Sequence, residues 1–159
     1  KSYRNYGYSK KYECNIKGRN FRIDEIQASI LNVKIKYLEE LTKERIYLAE
    51  IYNNNLKSIS NIEIPYKDPN SVHVYHLYVI RTDKRDELKK YLLKNGVETL
   101  IHYPIPPHLQ LAYKNLGYKK GDFPIAEKIS ETSLSLPIYP GLKKKEVLYI
   151  CDKISKFFS

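Results

Sequence analysis

The sequence predicts an α+β domain, with a short, mainly antiparallel sheet covered by helices and entered through one long helix. Three observations carry that expectation. Ile23, Ile26, Ile30, Val33, Tyr37 and Leu41 recur at spacings of three and four, the apolar stripe of an amphipathic helix. "VHVYHLYVIR", residues 72–81, and "VETLI", residues 97–101, are short runs of strand character. The closing stretch, Lys143 to Phe158, places Val147, Ile150, Cys151, Ile154, Phe157 and Phe158 on one helical face.

Residues 1–20 form a Tyr- and Lys-rich segment with glycine punctuation and little periodicity, set apart from residues 21–159. The helical pattern starts near Arg22 and continues or kinks through Ala49 to Leu56. "SISNIEIPYKDPNS" ends it with Ser, Asn and Pro. The strand over 72–81 is expected to be covered on both faces at least in part. "RDELKKYLLKNG" follows as a helix closed by Gly96, because glycine takes the left-handed conformation that ends a helix without cost. Val97–Ile101 is the second strand. "GDFPIAEKISETSLSLP" reads as a helix through residue 137, with Asp122 near its start and Pro124 in its first turn. No internal repeat is visible.

Between these elements lies "LIHYPIPPHLQLAY", residues 100–113. Proline fixes φ and removes a backbone donor, which predicts a rigid, extended loop rather than helix or central strand. Rigid loops bearing imidazole and phenol groups often hold a ligand.

Bulk properties bound the function. At 159 residues and 42% hydrophobic content the chain can bury a real core. No apolar run approaches a membrane span, and a cytoplasmic location is expected. The opening "KSYRNYGYSKKY" lacks an initiator methionine, so a start made by processing or by design is expected. Cys14 and Cys151 stand far apart without CxxC spacing, which argues against zinc and against a disulfide framework. A metal site built on His102 and His108 lacks carboxylate or thiolate company. The net charge of +10 admits three readings. One is a basic, tyrosine-rich module that grips nucleic acid by stacking and phosphate neutralisation, although it lacks the aromatic-glycine signature of an RNA-binding sheet. The second is a plain compositional bias toward Lys, Ile, Asn and Tyr, with lysines scattered along helices, and the third is a phosphate-bearing small ligand.

The candidate residues have physical readings of their own. Asn20, ahead of the long helix, can cap it or donate to an anion near its positive end. Arg22 could meet a phosphate, but is expected to pair with Asp24 or Glu25. Arg4 to Tyr12 brings cations and phenols onto one loop, suited to a pyrophosphate and a base or simply solvated. His102 is either a satisfied structural histidine or, with Tyr103, a pair that orients hydroxyls and packs its rings on an apolar surface.

Taken together, "RNYGYSKKY", "GRNFRIDEIQASIL", "HYPIPPHLQLAY" and "GYKKGDFPIAEKISETSLSLPIYPGL", in that order, resemble the C-terminal part of the DegT/DnrJ/EryC1/StrS sugar aminotransferases. The resemblance covers essentially the whole chain. It implies the small C-terminal domain of a fold-type I aminotransferase, in which pyridoxal 5'-phosphate serves amination of a nucleotide-linked keto sugar, glutamate is the habitual donor, and the enzyme is a homodimer. It implies that Asn20 contacts the partner subunit's cofactor phosphate, that Lys10, Lys11 and Tyr12 lie near the partner's substrate pocket, and that His102 and Tyr103 contact the sugar. "HYPIPPH" is most similar to members acting on 3-keto-6-deoxyhexoses. In the family the Schiff-base lysine and the acid that keeps the pyridine nitrogen protonated lie upstream of this stretch. No lysine here sits in that context, so no catalytic residue is assigned, no covalent cofactor is expected, and the chain alone is expected to be inactive.

Overall fold

The computed structural model describes residues 1–159, which pack as two compact units, Lys1–Glu39 and Glu40–Ser159.

The first unit holds more order than its composition suggests. Strands β1 (Tyr8–Lys10) and β2 (Glu13–Cys14) form an antiparallel hairpin. Residues 2–7 run beside 16–21: Arg19 N–H donates to the Tyr3 carbonyl at 2.8 Å and Phe21 N–H to that of Arg4 at 3.0 Å, while Asn5 and Asn20 form a bridge. Two glycines permit this approach. A Cβ on Gly18 would lie 2.2 Å from the Gly7 nitrogen, and one on Gly7 would lie 1.7 Å from the Ile16 carbonyl oxygen.

The long helical run continues, one of the two outcomes expected of it. Helix α1 (Glu25–Lys34) passes through a 3₁₀ turn at Ile35–Tyr37 into α2 (Leu38–Leu56). The apolar stripe divides along its length. Ile23, Ile26, Ile30, Val33 and Tyr37 are exposed, whereas Leu48, Ala49, Ile51, Tyr52 and Leu56 are buried in the second unit's core.

In that unit β3 (Tyr78–Arg81) pairs antiparallel with β4 (Ser133–Leu136), Tyr78 facing Leu136 and Arg81 facing Ser133. Single bridges extend the sheet on both sides, Glu63 to Arg81 and Leu100 to Ser135. Helices α3 (Arg85–Lys94), α4 (Pro124–Thr132) and α5 (Lys144–Phe158) complete the unit. Leu88 and Leu92 of α3, Leu134 and Leu136 of β4, and Val147, Ile150, Cys151 and Ile154 of α5 share one core. Gly96, with φ +74°, follows α3 as expected. Burial pushes the Cys151 thiol up to about 12, so this sulfur is an inert packing group. Tyr52 and Tyr78 stack with ring centroids 4.6 Å apart, and their hydroxyls donate to the Pro137 carbonyl and the Asn53 side chain.

Four expectations are corrected. The strand over 72–81 shortens to 78–81. Tyr75 takes φ +47°, its N–H donates to the His73 ring at 2.9 Å, and the Arg45 guanidinium claims the carbonyls of Tyr75 and His76. With their polar groups spent on side chains, these residues cannot join a ladder. The strand over 97–101 reduces to the one bridge at Leu100 before the prolines interrupt further donation. The helix read through residue 137 ends at Thr132, and Ser133–Leu136 become the central strand β4. Ser and Thr are weak helix formers, and pairing on both sides outweighs helical continuation. The proline stretch is not extended throughout: 3₁₀ turns occupy Pro107–Leu109 and Leu111–Leu116, the first opening on a proline, which suits an initial helical position.

Candidate functional site

The structure sets the sequence candidates in two places, one in each unit.

In the first unit Lys10 and Glu13 are paired across the hairpin, so Lys11 and Tyr12 form its two-residue turn. Tyr12 adopts φ +68° and is 79% exposed, and the Lys11 ammonium sits 5.3 Å from its ring centroid. Lys10, Lys11 and Tyr12 therefore gather at one projecting tip, a cation beside a stacking face. Asn20 lies in the other part of the unit, exposed, with its carboxamide making no bond within the chain. It does not cap the helix. That helix begins at Glu25 with Asp24 at its N-cap, and the Asn20 backbone is engaged with Asn5. Arg22 does not pair with Asp24 or Glu25; its guanidinium lies 5.6 Å from the Tyr6 ring centroid. Both residues lie at the end of the bridged segments, where residues 19–21 pair with 3–6, short of the first helical turn at Glu25.

Beside them Lys1, Ser2, Arg4, Asn5, Tyr8 and Arg22 line a recess of about 360 Å³. Three cations and no carboxylate face it. This donor set fits the phosphate end of pyridoxal phosphate. It supplies no acid for the pyridine nitrogen, so the fit stops at the phosphate.

In the second unit the bridge between Leu100 and Ser135 delivers His102 and Tyr103 to the end of the sheet. The His102 Nδ1 lies 2.8 Å from the Ser135 hydroxyl, and the peptide joining His102 to Tyr103 is cis. The two rings meet edge to face, with centroids 5.5 Å apart, and Tyr103 is 71% exposed. His102 is half-buried, and its Nε2 has no partner in the chain. A recess of about 370 Å³ adjoins it, lined among others by Leu77, Thr99, Leu100, Ser135 and Pro137. The hydroxyl of Thr99 is buried there without a hydrogen-bond partner.

The second histidine does different work. His108 Nε2 bonds the Glu127 carboxylate at 2.9 Å, and the Gly121 N–H donates to both oxygens of that carboxylate at 2.9 and 3.0 Å. Burial acts to raise the Glu127 carboxyl, but the Gly121 and Phe123 N–H groups and the His108 ring outweigh it and hold the group below its usual range. This cluster anchors the proline loop to α4. His102 and His108 thus have separate partners, and no group of three or more His, Cys, Asp or Glu side chains is arranged around a metal position. No helix is long and apolar enough to cross a membrane.

Ser135 is the site residue that sequence reasoning missed. Its signal was the alternation S-L-S-L, which marks a half-polar strand face but was absorbed into a helical reading.

Comparison with known proteins gives a consistent set of matches. Residues 1–155 match the DegT/DnrJ/EryC1/StrS aminotransferase family. The chain is 43% identical over 142 residues to the erythromycin biosynthesis sensory transduction protein EryC1 of Saccharopolyspora erythraea, covering 89% of this chain and 39% of that protein. It is 40% identical over 154 residues to the dTDP-3-amino-3,6-dideoxy-alpha-D-galactopyranose transaminase of Aneurinibacillus thermoaerophilus, covering 97% of this chain and 42% of that protein. Among solved structures, DesV of S. venezuelae in complex with a ketimine intermediate superposes with a TM-score of 0.92 at 37% identity, over 99% of this chain and 43% of DesV. The chain therefore spans about 40% of the length of the curated relatives it matches. Mixed helices with small antiparallel sheets are the architecture it shares with DesV. The nucleic-acid-binding alternative finds no support in these matches.

Proposed function

The chain belongs to the DegT/DnrJ/EryC1/StrS aminotransferase family, and from that premise we propose that it forms the substrate-facing C-terminal part of a pyridoxal-phosphate-dependent enzyme. That enzyme, a cytoplasmic homodimer, transfers an amino group from glutamate to a nucleotide-linked keto sugar, a 3-keto-6-deoxyhexose. Residues 1–20 are its substrate and interface segment and 21–159 its small domain. The observation that carries the reading is His102: a half-buried imidazole with a free Nε2, lining a recess beside an exposed tyrosine. An apolar wall with a few fixed polar tips suits a deoxysugar.

Each group has a stated task. His102 Nε2 and the Tyr103 hydroxyl orient oxygens of the sugar, with little ordering cost because the loop behind them is stiffened by prolines. Lys10 and Lys11 neutralise the diphosphate and Tyr12 stacks on the base, reaching from the hairpin tip into the partner subunit's pocket. Asn20, aided by Arg4 and Arg22, holds the cofactor phosphate in trans, as an isologous dimer allows. When bound, the cofactor supplies the electron sink that transamination requires. Schiff-base chemistry is left to residues outside this chain.

Amination itself is the test. Enzyme containing this chain together with a lysine-bearing large domain, given pyridoxal phosphate, glutamate and a dTDP-linked 3-keto-6-deoxyhexose, should yield the amino sugar by mass spectrometry. The 159-residue chain alone should yield none, and borohydride reduction of its mixture with the cofactor should leave no adduct on any single lysine. A stoichiometric adduct on one lysine would sink the assignment of the chemistry elsewhere.

A second expectation concerns Asn20. In the complete enzyme Asn20→Ala should weaken cofactor retention by roughly 1.5–3 kcal/mol, the worth of one hydrogen bond to a charged group. An unchanged cofactor dissociation constant would remove Asn20 from the phosphate site.

A further inference from the structure

We propose that Ser135 is a positioning residue that holds His102 as its Nε2–H tautomer, so that the ring presents a hydrogen-bond donor to an oxygen of the keto sugar. The substrate half of this statement rests on the function proposed above; the tautomer half stands on geometry alone.

The argument starts in the sheet. Leu100 and Ser135 exchange both backbone bonds, Ser135 N–H to the Leu100 carbonyl at 2.8 Å and Leu100 N–H to the Ser135 carbonyl at 3.3 Å. They are directly opposed, and His102, two residues beyond Leu100, is the diagonal neighbour of Ser135. Ser135 sits in a strand paired on both sides and is 5% exposed, so the backbone that carries its hydroxyl is fixed in place.

Donor accounting then sets the direction of the bond. The Ser135 hydroxyl carries one proton, and its only side-chain partner is His102 Nδ1, 2.8 Å away. If Nδ1 carried the ring proton and donated, the Ser135 O–H would have no acceptor within the chain, the costlier arrangement. Donation by Ser135 satisfies the hydroxyl and leaves Nδ1 unprotonated, which puts the ring proton on Nε2. The Tyr103 ring meets the imidazole edge to face, with centroids 5.5 Å apart. The result is an N–H with one orientation and no partner in the chain. A sugar carbonyl or hydroxyl oxygen is the acceptor it is built for.

The tautomer is read without substrate. In a ¹⁵N spectrum of the 159-residue chain at alkaline pH, His102 should show Nδ1 in the unprotonated range and Nε2 in the protonated range. Ser135→Ala should erase that bias and give a tautomer mixture, while Ser135→Thr, which restores a hydroxyl, should recover it. A wild-type ring with its proton on Nδ1, or a Ser135→Ala spectrum identical to wild type, overturns the proposal; the wild-type spectrum decides even where a variant folds poorly. In the complete enzyme Ser135→Ala should lower kcat/KM for the keto sugar about tenfold and Ser135→Thr should retain most of it. Failure of the functional reading is separately visible, because normal turnover in a His102→Ala enzyme removes the substrate role without altering the wild-type ring spectrum.

Discussion

Replacing His102 with alanine should lower turnover of the keto sugar in the complete enzyme by roughly 10²-fold, the scale on which a misplaced reacting group is felt. The variant also strands the buried Ser135 hydroxyl, whose one partner is the lost ring. That costs about 1–3 kcal/mol of stability. A fall in activity alone would therefore be ambiguous, and a second variant separates the causes. Removing both partners, His102→Ala with Ser135→Ala, takes away the unsatisfied group and should recover most of the lost stability. Turnover should stay low, since the hydroxyl serves the ring and has no task without it. The decisive measurement is steady-state kinetics beside thermal midpoint for the two variants. If activity returned together with stability in the double variant, His102 would be scaffold and the substrate role would fall.

Gly18→Ala should disorder the first unit. Its added methyl would lie 2.2 Å from the Gly7 nitrogen and 2.7 Å from the Tyr6 carbonyl carbon, both backbone atoms that cannot swing aside as a side chain tip can. Overpacking of this kind costs about 1–3 kcal/mol and more where nothing yields. The bridged segments would part, releasing the Arg19 and Phe21 amides from the Tyr3 and Arg4 carbonyls. Hydrogen exchange at those two amides should accelerate markedly. The Ser135 amide, paired in the other unit's sheet, should exchange as in wild type. In the complete enzyme the same change should impair cofactor retention, because Asn20 and Arg4 sit on the parted segments and Arg22 directly follows one of them. Unaltered protection at Arg19 and Phe21 would show that the backbone accommodates a Cβ and that the close approach is incidental.

What could be read from the sequence follows the range of the forces involved. Helical periodicity is local, so the face of α5, the stop at Gly96 and the continuous helical run from α1 into α2 were all legible from spacing. The ordered set of motifs, from "RNYGYSKKY" to the closing helix, was equally legible, and it pointed to the family to which residues 1–155 conform. His102 and Tyr103 stood out by chemistry, a ring pair ahead of three prolines. Strand pairing and side-chain pairing are not local, and there sequence reasoning ran out. Ser133–Leu136 resembles the tail of a helix until β3 on one side and Leu100 on the other make it the centre of a sheet. Residues 72–77 have strand composition, yet Arg45, some thirty positions earlier, takes the carbonyls of Tyr75 and His76. Gly7 and Gly18 look like ordinary loop punctuation until their backbones are seen to touch. The bond that orients the His102 ring spans 33 positions of chain. Local composition supplied the imidazole; only the folded sheet could bring it the hydroxyl that aims it.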